Sequence, residues 1–105
     1  SKLDLSEVIK YQADGIRQNL SSAKSHSLDL GRNYPLDSKD ISYDLQKVLN
    51  EQSRGLVFNC LSLPIGRECI DYCLKVLHEH LLLVRGSSYE SVQNERIETL
   101  KNFQV

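Results

Sequence analysis

Residues 66–85 read GRECIDYCLKVLHEHLLLVR and form the most apolar segment of the chain. Their apolar side chains recur at three- and four-residue spacings and cover somewhat more than half of a helical wheel. A helix that is apolar over so wide an arc is usually central, with several neighbours packed against it. Gly86 follows the segment, and Arg85 lies in its last turn, as is typical of a helix C-terminus. The segment therefore predicts a central third helix.

Three further amphipathic helices are predicted around it, over residues 5–23, 38–52 and 88–103. Each carries one apolar stripe and a polar face, as expected for a helix that packs on a core by one side. The predicted stripes consist of Leu5, Val8, Ile9, Ala13, Ile16 and Leu20 in the first helix, Ile41, Leu45, Val48 and Leu49 in the second, and Tyr89, Val92, Ile97, Leu100 and Phe103 in the fourth.

Capping residues support the predicted starts of these helices. Asp4 precedes the first helix, and Asp37 or Ser38 precedes the second. Ser87 and Glu90 form a capping-box pattern before the fourth, in which each side chain bonds a backbone N–H group near the helix start. These residues therefore mark the predicted starts of the first, second and fourth helices.

Residues 56–63, LVFNCLSL, are apolar on every side of a helical wheel. They are either a buried continuation of the second helix or a short strand, and periodicity alone does not separate the two. A helix is favoured because Leu56, Cys60 and Leu63 continue the stripe of the second helix. Pro64 then ends it.

The predicted fold is all-α: an antiparallel four-helix bundle with one long loop, about 25–37, between helices 1 and 2. A single helical domain is expected over residues 1–105, and the start at Ser1 rather than Met fits a domain excised from a larger protein. The alternative is an α+β fold with short strands near 56–63 and 81–85. A short resemblance between 47–52 and 75–80 is interpreted as chance because the flanking sequences differ.

Charge and composition limit the function. The chain has 13 basic and 14 acidic residues, a formal net charge of -1 and a sequence pI near 6.3, which argues against a dedicated nucleic-acid binder. No apolar run is long enough to span a bilayer, and no signal-peptide pattern opens the chain. The cysteine count of 3 is odd, which favours reduced thiols and a cytoplasmic or nuclear location.

Helix 3 also carries Cys69, Cys73, His78 and His80, which raises the question of a metal site. Cys69 and Cys73 are about 6 Å apart along a helix axis, but His80 lies about 10 Å beyond Cys73. One zinc ion needs all of its ligands within about 2.0–2.3 Å, so one straight helix does not supply a site. Cys73 and His80 are also too far apart for a nucleophile and its base. We therefore expect no metal, no cofactor and no enzymatic activity.

The cysteines, including Cys60, are interpreted as small buried apolar side chains. His80 projects within the apolar arc of helix 3, and we interpret it as a core histidine bonded to a backbone carbonyl or a carboxylate. The alternative is a pH-sensitive switch, because burial lowers the pKa of a histidine and protonation would then loosen the bundle.

Three side chains are candidate contacts for a partner: Tyr11, off the stripe of helix 1; Tyr34, in the long loop; and Leu82, on the polar arc of helix 3. Exposed tyrosines are frequent anchors in protein interfaces. The predicted function is therefore a protein-interaction (adaptor or docking) domain that binds a partner helix or peptide. The alternative is a small helical nucleic-acid-binding or regulatory domain, which requires the basic residues of helices 1 and 3 to converge.

Overall fold

The computed structural model describes residues 3–32 and 38–103, and this part of the chain contains four α-helices, one 3₁₀ turn and no strand. The all-α four-helix fold is therefore confirmed. The alternative α+β fold is wrong, because both segments proposed as strands lie almost entirely within helices. The elements are α1, Ser6–Asp29; a 3₁₀ turn, Ser38–Asp40; α2, Tyr43–Ser62; α3, Arg67–Val84; and α4, Glu90–Phe103.

Two predicted boundaries are wrong. The first helix continues to Asp29 instead of ending near Ala23, and ends where Gly31 adopts a left-handed φ of 75°. Serine and histidine in its last turns are weak helix formers but do not interrupt a helix. The second helix begins at Tyr43, because the side chain of Ser42 accepts a hydrogen bond from a backbone N–H of its first turn. Helices α1 and α2 are therefore connected by residues 30–42 rather than 25–37.

The predicted caps differ in outcome. Leu5 rather than Asp4 is the N-cap of α1, but the Asp4 carboxylate accepts a hydrogen bond from Ser6 N at 2.8 Å and so satisfies the first N–H group of the helix. Gly86 has a φ of 81° and ends α3 in the left-handed region, as expected of a C-terminal glycine. Its N–H donates to Glu90 Oε1 at 2.8 Å, whereas Ser87 Oγ accepts from Tyr89 N. The capping box predicted for Ser87 and Glu90 is therefore wrong, because Glu90 bonds Gly86 instead of Ser87. The proposed cap at Asp37 lies outside the described residues, and Ser38, the other proposed cap, begins the 3₁₀ turn instead of α2.

Hydrogen bonds between helices give their relative directions. Asn59 donates to Gln12, and Asn19 donates to Gln52. The two helices run antiparallel, because a later residue of α1 meets an earlier residue of α2. Helix α3 runs parallel to α1, because Ser6 at the start of α1 accepts from the N–H of Gly66, which precedes α3. Helix α4 follows a short connection and packs back against α3.

Helix α3 packs against each of the other three helices, which confirms its predicted central place. Its wide apolar arc is the reason: side chains pointing in several directions are all covered by neighbours. No helix in the described part of the chain has both the length and the apolar character that crossing a bilayer requires. The buried residues of α3 are Cys69, Ile70, Cys73, Val76, Leu77, His80, Leu83 and Val84.

Some residues assigned to apolar stripes are exposed instead. Val8 and Val48 are 60% and 47% exposed, and Phe103 is half exposed. Phe58 and Leu61, assigned to a buried continuation of the second helix, also reach solvent. The exposure of Val8 and Val48 follows from the way α1 and α2 meet. Polar amide side chains, rather than apolar ones, line the edge of that contact. The core stripes of α1 and α2 are therefore narrower than predicted.

Candidate interaction surface

Tyr11 is the most exposed large hydrophobic side chain in the described part of the chain, with 82% of its surface accessible. It lies on α1 one turn after Val8, which is also exposed. The next residue, Gln12, accepts a hydrogen bond from Asn59 Nδ2 of α2 at 2.8 Å. Tyr11 therefore lies beside the contact between α1 and α2, as an aromatic side chain without cover.

Phe58 lies on the other helix of the same contact. It immediately precedes Asn59, the partner of Gln12, and is 69% exposed. We call Val8, Tyr11 and Phe58, with the amide pair Gln12–Asn59 between them, the seam surface. None of these five residues is charged, and interface centres are typically depleted in charge and enriched in aromatic side chains.

Phe58 was missed by sequence reasoning, which placed it within a buried apolar run. The signal is nevertheless present in the sequence. Residues 56 and 58 of one helix are about 200° apart on the helical wheel. Leu56 is fully buried, so Phe58 points to the opposite side. Extending the apolar stripe of the second helix through residues 56–63 would have placed Phe58 outside that stripe and predicted its exposure.

The other two sequence candidates do not join this surface. Leu82 is 41% exposed on the second half of α3, one turn from the exposed side chains of His78 and Arg85. Because α1 and α3 run parallel and Tyr11 lies in the first half of α1, the two side chains lie towards opposite ends of the bundle. Tyr34 lies outside the described residues.

A different set of side chains joins α1 to α3. The Tyr72 hydroxyl donates to the Asp14 carboxylate and accepts from Arg17 Nη1 at 3.1 Å. Arg17 Nε also lies 3.6 Å from a carboxylate oxygen of Glu79. The Tyr72 hydrogen bond, followed by the Glu79 charge, raises the pKa of Arg17 above its ordinary value. This guanidinium is therefore held by groups of its own chain.

A buried polar cluster occupies the core between α2, α3 and α4. Ser53 Oγ donates to Gln93 Oε1 at 2.9 Å, and Gln93 Nε2 donates to the backbone carbonyl of Leu77 at 3.0 Å. Arg96 Nη1 donates to Asn50 Oδ1 at 2.7 Å. The cluster satisfies its polar atoms across three helices, which fixes the position of α4 on the bundle.

His80 is buried on α3 with 1% of its surface accessible, as predicted. The predicted hydrogen bond to a carbonyl or carboxylate is wrong: neither ring nitrogen has a partner among the described residues. Burial, followed by the positive charge of Arg96, lowers the pKa of His80 to about 4. The imidazole is therefore neutral near pH 7 and is the least satisfied polar group of α3.

The three cysteine thiols are free and buried, and they form one group. Cys73 on α3 lies within hydrogen-bond reach of Cys60 on α2 and of Cys69 one turn earlier. Cys69 Sγ donates to the backbone carbonyl of Ser6 at 3.5 Å. Burial and the neighbouring Cys73 raise the pKa of Cys69 to about 11, and hydrogen bonding with Cys60 together with burial raises that of Cys73 further.

We expect all three thiols to react slowly in the native protein, because the thiolate is the reactive form and burial disfavours it. Treatment with a colorimetric thiol reagent at pH 8 should release little colour until denaturant is added. All three should then react. Rapid stoichiometric labelling of the native protein would show that the thiols are accessible and would contradict the prediction.

Neither metal chemistry nor a relative indicates the function. Within residues 3–32 and 38–103, no group of three or more His, Cys, Asp or Glu side chains is arranged to hold a metal ion. Comparisons with family models, curated proteins and solved structures found no match to this chain. The seam surface is thus the feature from which a function can be inferred.

Proposed function

We propose that this chain is a protein-interaction module that binds a partner helix or peptide through the seam surface. The observation that carries the proposal is the exposure of two aromatic rings, Tyr11 and Phe58, on either side of one interhelical amide pair. Single exposed apolar residues are ordinary on a monomer, whereas grouped aromatic side chains are typical of interfaces.

The chemistry of the surface favours a protein partner. Covering a large apolar side chain contributes about 1.5–3 kcal/mol, so Tyr11 and Phe58 together could anchor a small interface. Gln12 and Asn59 between them carry amide groups that can also bond a peptide backbone. None of its five residues is charged; charged side chains on the same helix faces include Glu7, one turn before Tyr11, and Arg54, one turn before Phe58.

The alternative, nucleic-acid binding, is less well supported. It needs the basic residues of α1 and α3 to converge on one free face, but Arg17 is held by Tyr72 and Glu79, and Lys10 lies 4.0 Å from Glu7. We also place an adaptor of this kind in the cytoplasm or nucleus, where three free thiols stay reduced.

The test is a binding comparison among three alanine variants, using partners captured by the wild-type chain. Tyr11→Ala and Phe58→Ala should each weaken binding of a true partner at least about tenfold, as expected for interface anchors. Both variants should unfold at nearly the same denaturant concentration as wild type, because the two side chains are exposed.

Leu82→Ala is the matched control, since Leu82 is a partly exposed apolar residue towards the other end of the bundle. It should bind like wild type. The choice of surface would be overturned if Leu82→Ala lost binding to the partner while Tyr11→Ala and Phe58→Ala bound it like wild type.

A further inference from the structure

Helices α1 and α2 carry the same residues at a spacing of 40. The stretch 12–19 reads QADGIRQN and the stretch 52–59 reads QSRGLVFN, so both follow the pattern Gln-x2-Gly-x3-Asn. The agreement extends in both directions along the helices. The identical pairs are Asp4 and Asp44, Leu5 and Leu45, Val8 and Val48, Gln12 and Gln52, Gly15 and Gly55, Asn19 and Asn59, and Ser22 and Ser62.

In the structure the two stretches pair with each other reciprocally. Asn59 Nδ2 of α2 donates to Gln12 Oε1 of α1. In the reverse direction, Asn19 Nδ2 of α1 donates to Gln52 Oε1 of α2. Both distances are 2.8 Å. Exchanging the two helices therefore reproduces the same pair of bonds, which is the behaviour of a two-fold symmetric contact.

The glycines occupy equivalent places in this contact. A Cβ atom on Gly15 would lie 3.7 Å from Gln52 Nε2, and one on Gly55 would lie 3.5 Å from Gln12 Nε2. Each glycine thus leaves room for the glutamine of the opposite copy. A methyl group fits at these distances, but a longer side chain would displace the glutamine and break its bond to asparagine.

The equivalence continues beyond the bonded amides. Val8 and Val48 are both exposed at the edge of the contact, and Ser22 and Ser62 each donate to the carbonyl four residues earlier on their own helix. The buried residues also occupy equivalent positions at the spacing of 40. They are Ile9, Ala13 and Ile16 in α1, and Leu49, Ser53 and Leu56 in α2. All six of these side chains are fully buried.

We propose that α1 and α2 are two copies of one self-complementary helix-pairing element. The contact then accepts one kind of partner, an antiparallel helix that carries glutamine, glycine and asparagine at this spacing along one edge. Each amide pair also sets the register, because sliding one helix by a turn would leave part-buried amides unbonded.

Matched substitutions at equivalent positions test the symmetry. Gln12→Leu and Gln52→Leu should each lower the folded-to-unfolded ratio by about threefold to tenfold, the loss expected for one part-buried hydrogen bond. Gln18→Leu, at an exposed position of α1, should stay within about twofold of wild type. A tenfold loss from one of the two amide variants and none from the other would overturn the proposal.

A chimeric full-length chain tests whether the copies are interchangeable. Residues 5–22 receive the sequence of 45–62, except that Ser6, Asp14 and Arg17 are kept because they bond residues of α3 or the turn before it. The chimera should unfold cooperatively in a helical transition monitored by circular dichroism.

The control is the same chimera with Gly15→Leu, which differs only at the contact between the copies. The proposal expects the chimera to have a folded-to-unfolded ratio at least about tenfold higher than this control, as for loss of a bonded, close-packed contact. Equal stability of the two chains, including failure of both to fold, would overturn it.

Discussion

Replacing Leu77 by alanine is expected to lower the free energy of unfolding by about 2–5 kcal/mol, the range for large-to-small changes in a packed core. Leu77 is fully buried at the centre of α3, which packs against all three other helices. Its replacement leaves a cavity between several helices at once, which limits how far the surroundings can relax. Urea denaturation followed by circular dichroism at 222 nm measures the loss.

Leu82→Ala is the matched control on the same helix and should change the free energy of unfolding by about half a kcal/mol or less. The two variants share one substitution and one helix and differ in burial. Equal destabilisation would mean that α3 is covered all round, in conflict with the partial exposure of Leu82.

Acidification is expected to remove about 3 kcal/mol of stability through His80 alone. The pKa of His80 is about 4 in the folded chain and about 6.5 when unfolded, so the fold favours the neutral imidazole. Its contribution is fully present above pH 6.5. Below that value the unfolded state takes up a proton that the folded state excludes, and stability falls by 1.36 kcal/mol per pH unit until about pH 4.

Comparing variants isolates this effect from the carboxylates that also titrate in acid. In His80→Leu the free energy of unfolding should decline less between pH 6.5 and pH 4, and near pH 7 it should equal or exceed that of wild type. A gain is expected because an unpartnered buried polar group is removed. His78→Leu, at an exposed position two residues earlier, keeps His80 and should keep its acid slope. Identical pH profiles for His80→Leu and wild type would contradict the prediction.

Much of the fold follows from periodicity. The wide apolar arc of residues 66–85 predicted a central helix, and α3 does pack against all three other helices. The end of that helix followed from Gly86, since a left-handed residue is easiest for glycine. The junction between α1 and α2 was placed wrongly because Ser25, His26 and Ser27 are weak helix formers that packing overrides. Ser27 is in fact buried in α1.

The surface was predicted only in part. Tyr11 stood out because it lies off its stripe, and it is exposed as the wheel indicated. Phe58 did not stand out, because an apolar residue within an apolar run gives no sign that it lacks a neighbour. The pattern shared by 12–19 and 52–59 is also visible in the sequence. That the two stretches pair with each other follows only from the tertiary structure, which brings them into contact.

The sequence by itself determined which segments form helices and which face of each helix points towards the core. Both depend on a residue's own preferences and on its neighbours within two turns. Only the tertiary structure decided which edge residues are covered. Val8 and Ile9 are adjacent in the sequence, yet Ile9 is fully buried and Val8 is exposed, because α2 meets α1 through amide side chains. His80 shows the same limit: periodicity placed it in the core, but whether a partner atom reaches its nitrogens depends on residues brought there from other helices.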